Sequence, residues 1–111
     1  MAAPVEGVFI NVPFDRQYRR LFRALVFTIH ECGFVSRCSL EAEDGSVLRM
    51  EKLYTIIREC PLGIHDLSRA VMTEGLPRYN MPLELGLFLG AKRYGSGAQR
   101  RKSCVILDRD P

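Results

Sequence analysis

Glu84 is the one charged side chain in the run Met81-Pro82-Leu83-Glu84-Leu85-Gly86-Leu87-Phe88-Leu89-Gly90-Ala91. Pro82 suits the first turn of a helix, because a first-turn proline forfeits no hydrogen bond. A helix that is apolar all round is normally buried. Its one carboxylate is then either shielded from water or turned toward a pocket. Burying a carboxylate without partners costs several kcal/mol and raises its pKa. Two roles fit Glu84. It serves chemistry, or, with Met81 as N-cap, it is the third helical residue and reaches back to the cap backbone.

Other polar groups stand where a site could form. Asn11 and Asp15 follow the β-prone run Val8-Phe9-Ile10-Asn11-Val12, which ends at Pro13. Asp66 lies in the apolar run Leu62-Gly63-Ile64-His65-Asp66-Leu67-Ser68, and Asn80 precedes the Glu84 helix. In an open parallel sheet, ligands bind at the carboxyl ends of strands, near the point where strand order reverses. For order 2-1-3-4 that point lies between the first and third strands. Asn11, Asp15, Asp66, Asn80 and Glu84 are therefore expected to converge there. Each has a plainer role as well. Asp15 suits a helix N-cap, Asp66 can hold backbone amides at a strand end, and Asn80 suits an N-cap. His65 is expected on the opposite face of the strand from Asp66. His30 lies late in a helix, where its charge favours the dipole.

Two carboxylates at one rim suit glycosidic chemistry. One attacks or shields an anomeric carbon whose transition state is oxocarbenium-like, and the other protonates the leaving group. A base departing from a ribose obeys the same logic, and a partly desolvated glutamate stabilises the developing positive charge. Other chemistries lack their patterns. There is no GxGxxG, no GxxxxGK[ST] and no HExxH. Ser46 and Ser68 have no nucleophile-elbow context. The four cysteines, Cys32, Cys38, Cys60 and Cys104, show no CxxC spacing and read as small core residues rather than zinc ligands.

The elements that must position these groups alternate. Strands are expected near 8–12, 34–40, 62–68 and 103–108. Helices are expected over 18–30, 48–60 and 82–93. Leu21, Leu25, Thr28 and Ile29 mark the inner side of the first helix, and Gly33 stops it. Leu53, Ile56, Ile57 and Cys60 recur at the helical period in the second, which Pro61 ends. Glu41 to Ser46 reads as a polar turn, and Arg69 to Tyr79 as a loop. Short apolar strands alternating with helices predict a three-layer, flavodoxin-like α/β domain with a parallel sheet of order 2-1-3-4. The chain stops soon after the fourth strand, where a doubly wound sheet usually carries another helix. A domain cut short at its C-terminus, or completed by dimerisation, is the expectation.

The whole chain of 111 residues reads as one domain, with 47% hydrophobic and 26% charged residues. No apolar stretch can cross a bilayer and Met-Ala-Ala-Pro-Val-Glu is not a signal peptide, so a cytoplasmic protein without membrane association is expected. A net charge of +3 is too mild to imply nucleic acid. Lys92, Arg93, Arg100, Arg101 and Lys102 fall within eleven residues, as a solvated loop or as a phosphate-contacting patch.

Several segments resemble a known family. Val8-Phe9-Ile10-Asn11-Val12-Pro13-Phe14-Asp15 is similar to the opening strand and loop of nucleoside 2-deoxyribosyltransferase-like proteins. Ile64-His65-Asp66-Leu67-Ser68 resembles their third strand, and Leu83-Glu84-Leu85-Gly86 with Cys104-Val105-Ile106-Leu107 their nucleophile-bearing segment and next strand. The resemblance implies Glu84 as the nucleophile on C1′ and Asp66 as a second catalytic group that orients substrate or serves as acid. It implies a substrate-contacting set of Asn11, Pro13, Asp15, Tyr18 and Asn80, with Tyr18 as a stacking wall. The substrate is then a nucleoside or nucleotide, no cofactor or metal is required, and the protein is a bacterial homo-oligomer. TIR-type domains share this layout, and some cleave NAD with a glutamate before a leucine on the corresponding helix. The tryptophan that often precedes that glutamate is missing here, which ranks NAD as substrate second. A non-catalytic nucleotide-sensing or protein-interaction module on the same fold is the remaining alternative.

Overall fold

The computed structural model describes residues 5–42, 48–69 and 80–109. Four strands form its centre: β1 (Gly7–Asn11), β2 (Val35–Cys38), β3 (Leu62–Asp66) and β4 (Ser103–Leu107). All neighbours are parallel and the order is β2-β1-β3-β4. Three helices connect them: α1 (Arg19–Glu31), α2 (Leu48–Glu59) and α3 (Asn80–Tyr94). This is the three-layer, flavodoxin-like arrangement that the alternating pattern requires, and β1 lies at its centre because its run is apolar on both faces.

The two faces have separate cores. Val8 and Ile10 of β1, with Val12 just after it, meet Tyr18 and Ile29, and Phe22, Leu25 and Val26 of α1 pack against them. Phe9 meets Leu53, Ile56 and Ile57 of α2, Cys60, and Phe88 of α3. Phe9 and Phe88 are fully buried, each contributing roughly 2–3 kcal/mol through apolar burial. The α2 face is the one its periodicity predicts. Gly33 has φ of +87°, the left-handed conformation that ends α1.

Three local expectations need correction. The inner side of α1 is Phe22, Leu25, Val26 and Ile29, while Leu21 and Thr28 face solvent. A 3-10 turn at Arg16–Tyr18 precedes α1 and sets its phase. β2 ends at Cys38, because Ser39–Ala42 form a 3-10 turn. Glu41 drives that turn by accepting from the Cys38 backbone N–H at 3.0 Å and from Arg37 Nε at 2.9 Å. Finally, α3 is not buried all round, since Leu83 and Leu89 are exposed. Of the expected polar turn only Glu41 and Ala42 are described, and of the Arg69–Tyr79 loop only Arg69; the rest lies outside the described residues.

β4 is an edge strand whose Val105 is 56% exposed and Ile106 50%. No helix among the described residues is long and apolar enough to cross a membrane.

Candidate functional site

Asn11 and Asp66 are the last residues of β1 and β3, and α3 begins at the same end of the sheet. The contact that brings α3 there is made by Asn11. Its Nδ2 donates to the Met81 carbonyl at 2.7 Å and lies 2.8 Å from His65 Nδ1. A carbonyl can only accept, so the amide orientation is fixed. The amide nitrogen has only hydrogens to offer the ring, so His65 Nδ1 must accept. A neutral His65 therefore carries its proton on Nε2. Both Asn11 N–H groups are spent within the protein.

His65 is fully buried, and burial pulls its pKa down to about 4. Its ring packs edge-on to Phe88, with centroids 5.0 Å apart. Its Nε2 has no hydrogen-bond partner among the described residues. Glu84 stands one turn before Phe88 on the same face of α3. Because α3 starts at Asn80, Glu84 is its fifth residue, too far in to reach back to a cap. It is 5% exposed, and its Oε1 is without a partner among the described residues. Burial pushes its pKa up to about 7, against a smaller opposing pull from the Arg49 guanidinium on α2. The Cys38 thiol at the end of β2 is raised chiefly by burial, with smaller additions from the charges of Glu41 and then Glu84.

A second group lies on the α1 side. Asp66 accepts from the Tyr18 hydroxyl at 2.5 Å and from the Ser68 backbone N–H at 2.8 Å. Burial alone would raise its pKa, but the hydrogen bonds from Ser68 and Tyr18 and the nearby Arg69 charge outweigh it, and the pKa is lowered. Tyr18 is buried, and its phenol is raised by that burial and by the Asp66 bond. Asp15 caps the 3-10 turn by accepting from the Tyr18 N–H at 2.9 Å, and it pairs with Arg69. Arg69 also donates to Gln17 Oε1 at 2.9 Å.

With His65 added, the predicted residues fall mainly into two groups at one rim. His65 and Asp66 are successive, so their side chains leave opposite faces of β3. Asn11, His65 and Glu84 gather on the α3 side. Asp15, Tyr18 and Asp66 gather on the α1 side. Asn80 is exposed at the start of α3, and Pro13 is buried. Sequence reasoning left His65 out, although the register that pairs Asn11 with His65 places them together. It also passed over Arg69, and over Arg19 and Arg23. These last two border a cleft of about 300 Å³ at the carboxyl ends of β1 and β2, with Asp15, Pro13, Phe14 and Phe22. The spacing Arg16, Arg19, Arg20, Arg23 was the available signal, since it follows the helical period.

The basic segment from Lys92 to Lys102 lies at the opposite pole, where α3 ends and β4 begins. Lys92 Nζ donates to the carbonyls of Lys102 at 2.5 Å and Arg100 at 3.3 Å, and Lys102 is buried. Among the described residues no cluster of His, Cys, Asp or Glu could hold a metal ion.

No protein-family model, curated protein or solved structure matches this chain. A carboxyl with a pKa near neutrality, buried and with an uncommitted oxygen, can act as a nucleophile, as a base or as a counter-charge to a developing cation.

Proposed function

We propose that the protein cleaves or transfers the N-glycosidic bond of a nucleoside or nucleotide, with Glu84 as nucleophile or oxocarbenium stabiliser. The observation that carries this reading is the buried Oε1 of Glu84, without a hydrogen-bond partner among the described residues, at the carboxyl end of a parallel sheet. In the reaction, a Glu84 oxygen bonds to C1′ while the C1′–N bond breaks. The departing base takes the bonding electron pair and a proton from water, and water (cleavage) or a second base (transfer) then displaces the Glu84 carboxylate from C1′. Asp66, held ionised by its hydrogen bonds, is better suited to orient a sugar hydroxyl than to supply that proton. Asn11, Pro13, Asp15, Tyr18 and Asn80 complete the substrate-contacting set. The reading includes a bacterial, cytoplasmic protein that self-associates through the exposed β4 edge.

The test is release of free base, followed by mass spectrometry, from a panel of nucleosides, nucleoside 5′-monophosphates and NAD. Base release by the native protein that disappears in Glu84→Gln supports the proposal. Release from NAD alone assigns the TIR-like variant of the chemistry. Thermal stabilisation by a nucleotide without any released base replaces catalysis with sensing.

A further inference from the structure

We infer that the cleft between the ends of β1 and β2 and the α1 helix is a binding site for the 5′-phosphate of a mononucleotide. The inference rests on the nucleotide half of the proposed function for the ligand's organic part, and it names the phosphate state that reading leaves open. Its geometry is independent of Glu84.

The cleft combines two surfaces. Phe14 and Phe22 stand edge to face at 5.5 Å beside Pro13 and give an apolar floor. Arg19 and Arg23, one helical turn apart on α1, give a cationic wall. Both guanidinium groups are exposed, and neither makes an ion pair among the described residues. Like charges one turn apart repel by a few tenths of a kcal/mol, roughly 0.2–0.5. An anion between them removes that repulsion. A guanidinium pair matches the geometry of phosphate oxygens, which accept two parallel hydrogen bonds from each. Asp15 is the one acid on the wall, and its charge is already opposed by Arg69. At about 300 Å³ the cleft is at the small end of the range for small-molecule sites. The segment from Lys92 to Lys102 does not compete for this role, because it lies at the other pole and Lys92 and Lys102 are turned onto backbone carbonyls.

The experiment is isothermal titration of the full chain with four nucleoside 5′-monophosphates, the matched nucleosides and inorganic phosphate. Titrations are repeated with Arg19→Gln/Arg23→Gln, with Arg16→Gln/Arg20→Gln and with Glu84→Gln. At least one monophosphate is expected to bind about tenfold or more tightly than its nucleoside and than inorganic phosphate. Arg19→Gln/Arg23→Gln should erase that margin, while Arg16→Gln/Arg20→Gln, which removes equal charge outside the cleft, should leave most of it. Circular dichroism verifies that each variant is folded. The inference is overturned if no monophosphate binds, if inorganic phosphate binds as tightly, or if both arginine pairs cause the same loss. Glu84→Gln separates the two proposals. Unchanged monophosphate binding in that variant, with no base release by the native protein, keeps the phosphate site and removes the catalytic reading.

Discussion

The side-chain amide nitrogen of Asn11 lies 2.8 Å from His65 Nδ1, and the same nitrogen reaches the Met81 carbonyl at 2.7 Å. One side chain therefore joins β1, β3 and the first turn of α3. It also decides the protonation chemistry of the imidazole, because a donor facing Nδ1 disfavours a second proton there.

Asn11→Asp reverses that donor at nearly constant volume. A carboxylate cannot donate to Nδ1, and its charge favours imidazolium. The pKa of His65, held at about 4 by burial, is expected to rise. Proton NMR titration of the ring reports it directly. A His65 pKa that does not move in the variant removes Asn11 from this role. The Met81 carbonyl loses its donor in the same variant, so stability should fall by roughly 1–3 kcal/mol.

Glu84 and His65 should give opposite slopes to the pH dependence of stability. Glu84 rises from 4.5 to about 7 on folding, so the folded chain keeps a proton that the unfolded chain has lost. Its contribution therefore falls as pH climbs between those values. His65 drops from 6.5 to about 4, so the unfolded chain holds the extra proton and stability rises between them. Each slope is about 1.4 kcal/mol per pH unit, and from pH ~4.5 to ~6.5 the two oppose each other. Urea unfolding of the native protein should be nearly flat there. In Glu84→Gln the rise from His65 stands alone and reaches on the order of 3 kcal/mol. The variant should also exceed the native protein in stability at pH 8, where the native carboxylate is ionised in a buried place. An equally flat profile in the variant would show that Glu84 is not desolvated. Activity, where present, should rise with pH through about 7, because the nucleophile must be ionised.

These properties were legible in the sequence to different depths. Four strands, three helices and the sheet order follow from short apolar runs that alternate with helical periods, and the burial of Glu84 follows from its neighbours. The phase of α1 does not follow. Leu21, Phe22, Leu25 and Val26 are all apolar, so two overlapping faces satisfy the same period, and the turn at Arg16–Tyr18 selects between them. The division of the site into two groups was hidden as well. It depends on which face of β3 each of two adjacent polar residues takes. That is fixed by the pairing of Asn11 with His65, a contact between residues 54 positions apart.

Gly63 is expected to tolerate no side chain. A Cβ there would stand 2.9 Å from His65 Nε2 and 3.0 Å from Phe88 Cζ. Both rings are fully buried and cannot swing into solvent. Gly63→Ala should cost roughly 1–3 kcal/mol through overpacking, measured by urea unfolding. The displaced imidazole should also shift its Nδ1 signal in nitrogen NMR, since its bond to Asn11 is strained. A stability change below about 0.5 kcal/mol would mean that the Phe88 and His65 rings are more loosely packed than their contacts indicate.

Lys102 holds the opposite pole. Its Nζ donates to the carbonyls of Cys60 at 2.6 Å and Ile57 at 2.7 Å, and it lies 5.0 Å from the centroid of Phe88. These carbonyls belong to the end of α2 and the residue after it, where helical partners run out. Burial lowers the pKa of the amine, which is the cost of placing it there. Lys102→Met keeps the stem and removes the donor. Two buried acceptors then lose their partner at about 1–3 kcal/mol each, and the cation–π contact adds up to about 2. The relief from desolving an ammonium offsets part of that. A net loss of roughly 2–4 kcal/mol is expected, against a change within about 0.5 for Arg101→Met, an exposed neighbour. The loss should also reach the rim, because Phe88 packs on His65 and the Lys102 ammonium together. A Lys102→Met protein as stable as the native one would show that water serves those carbonyls equally well, and that α2 is held by Leu53, Ile56 and Ile57 alone.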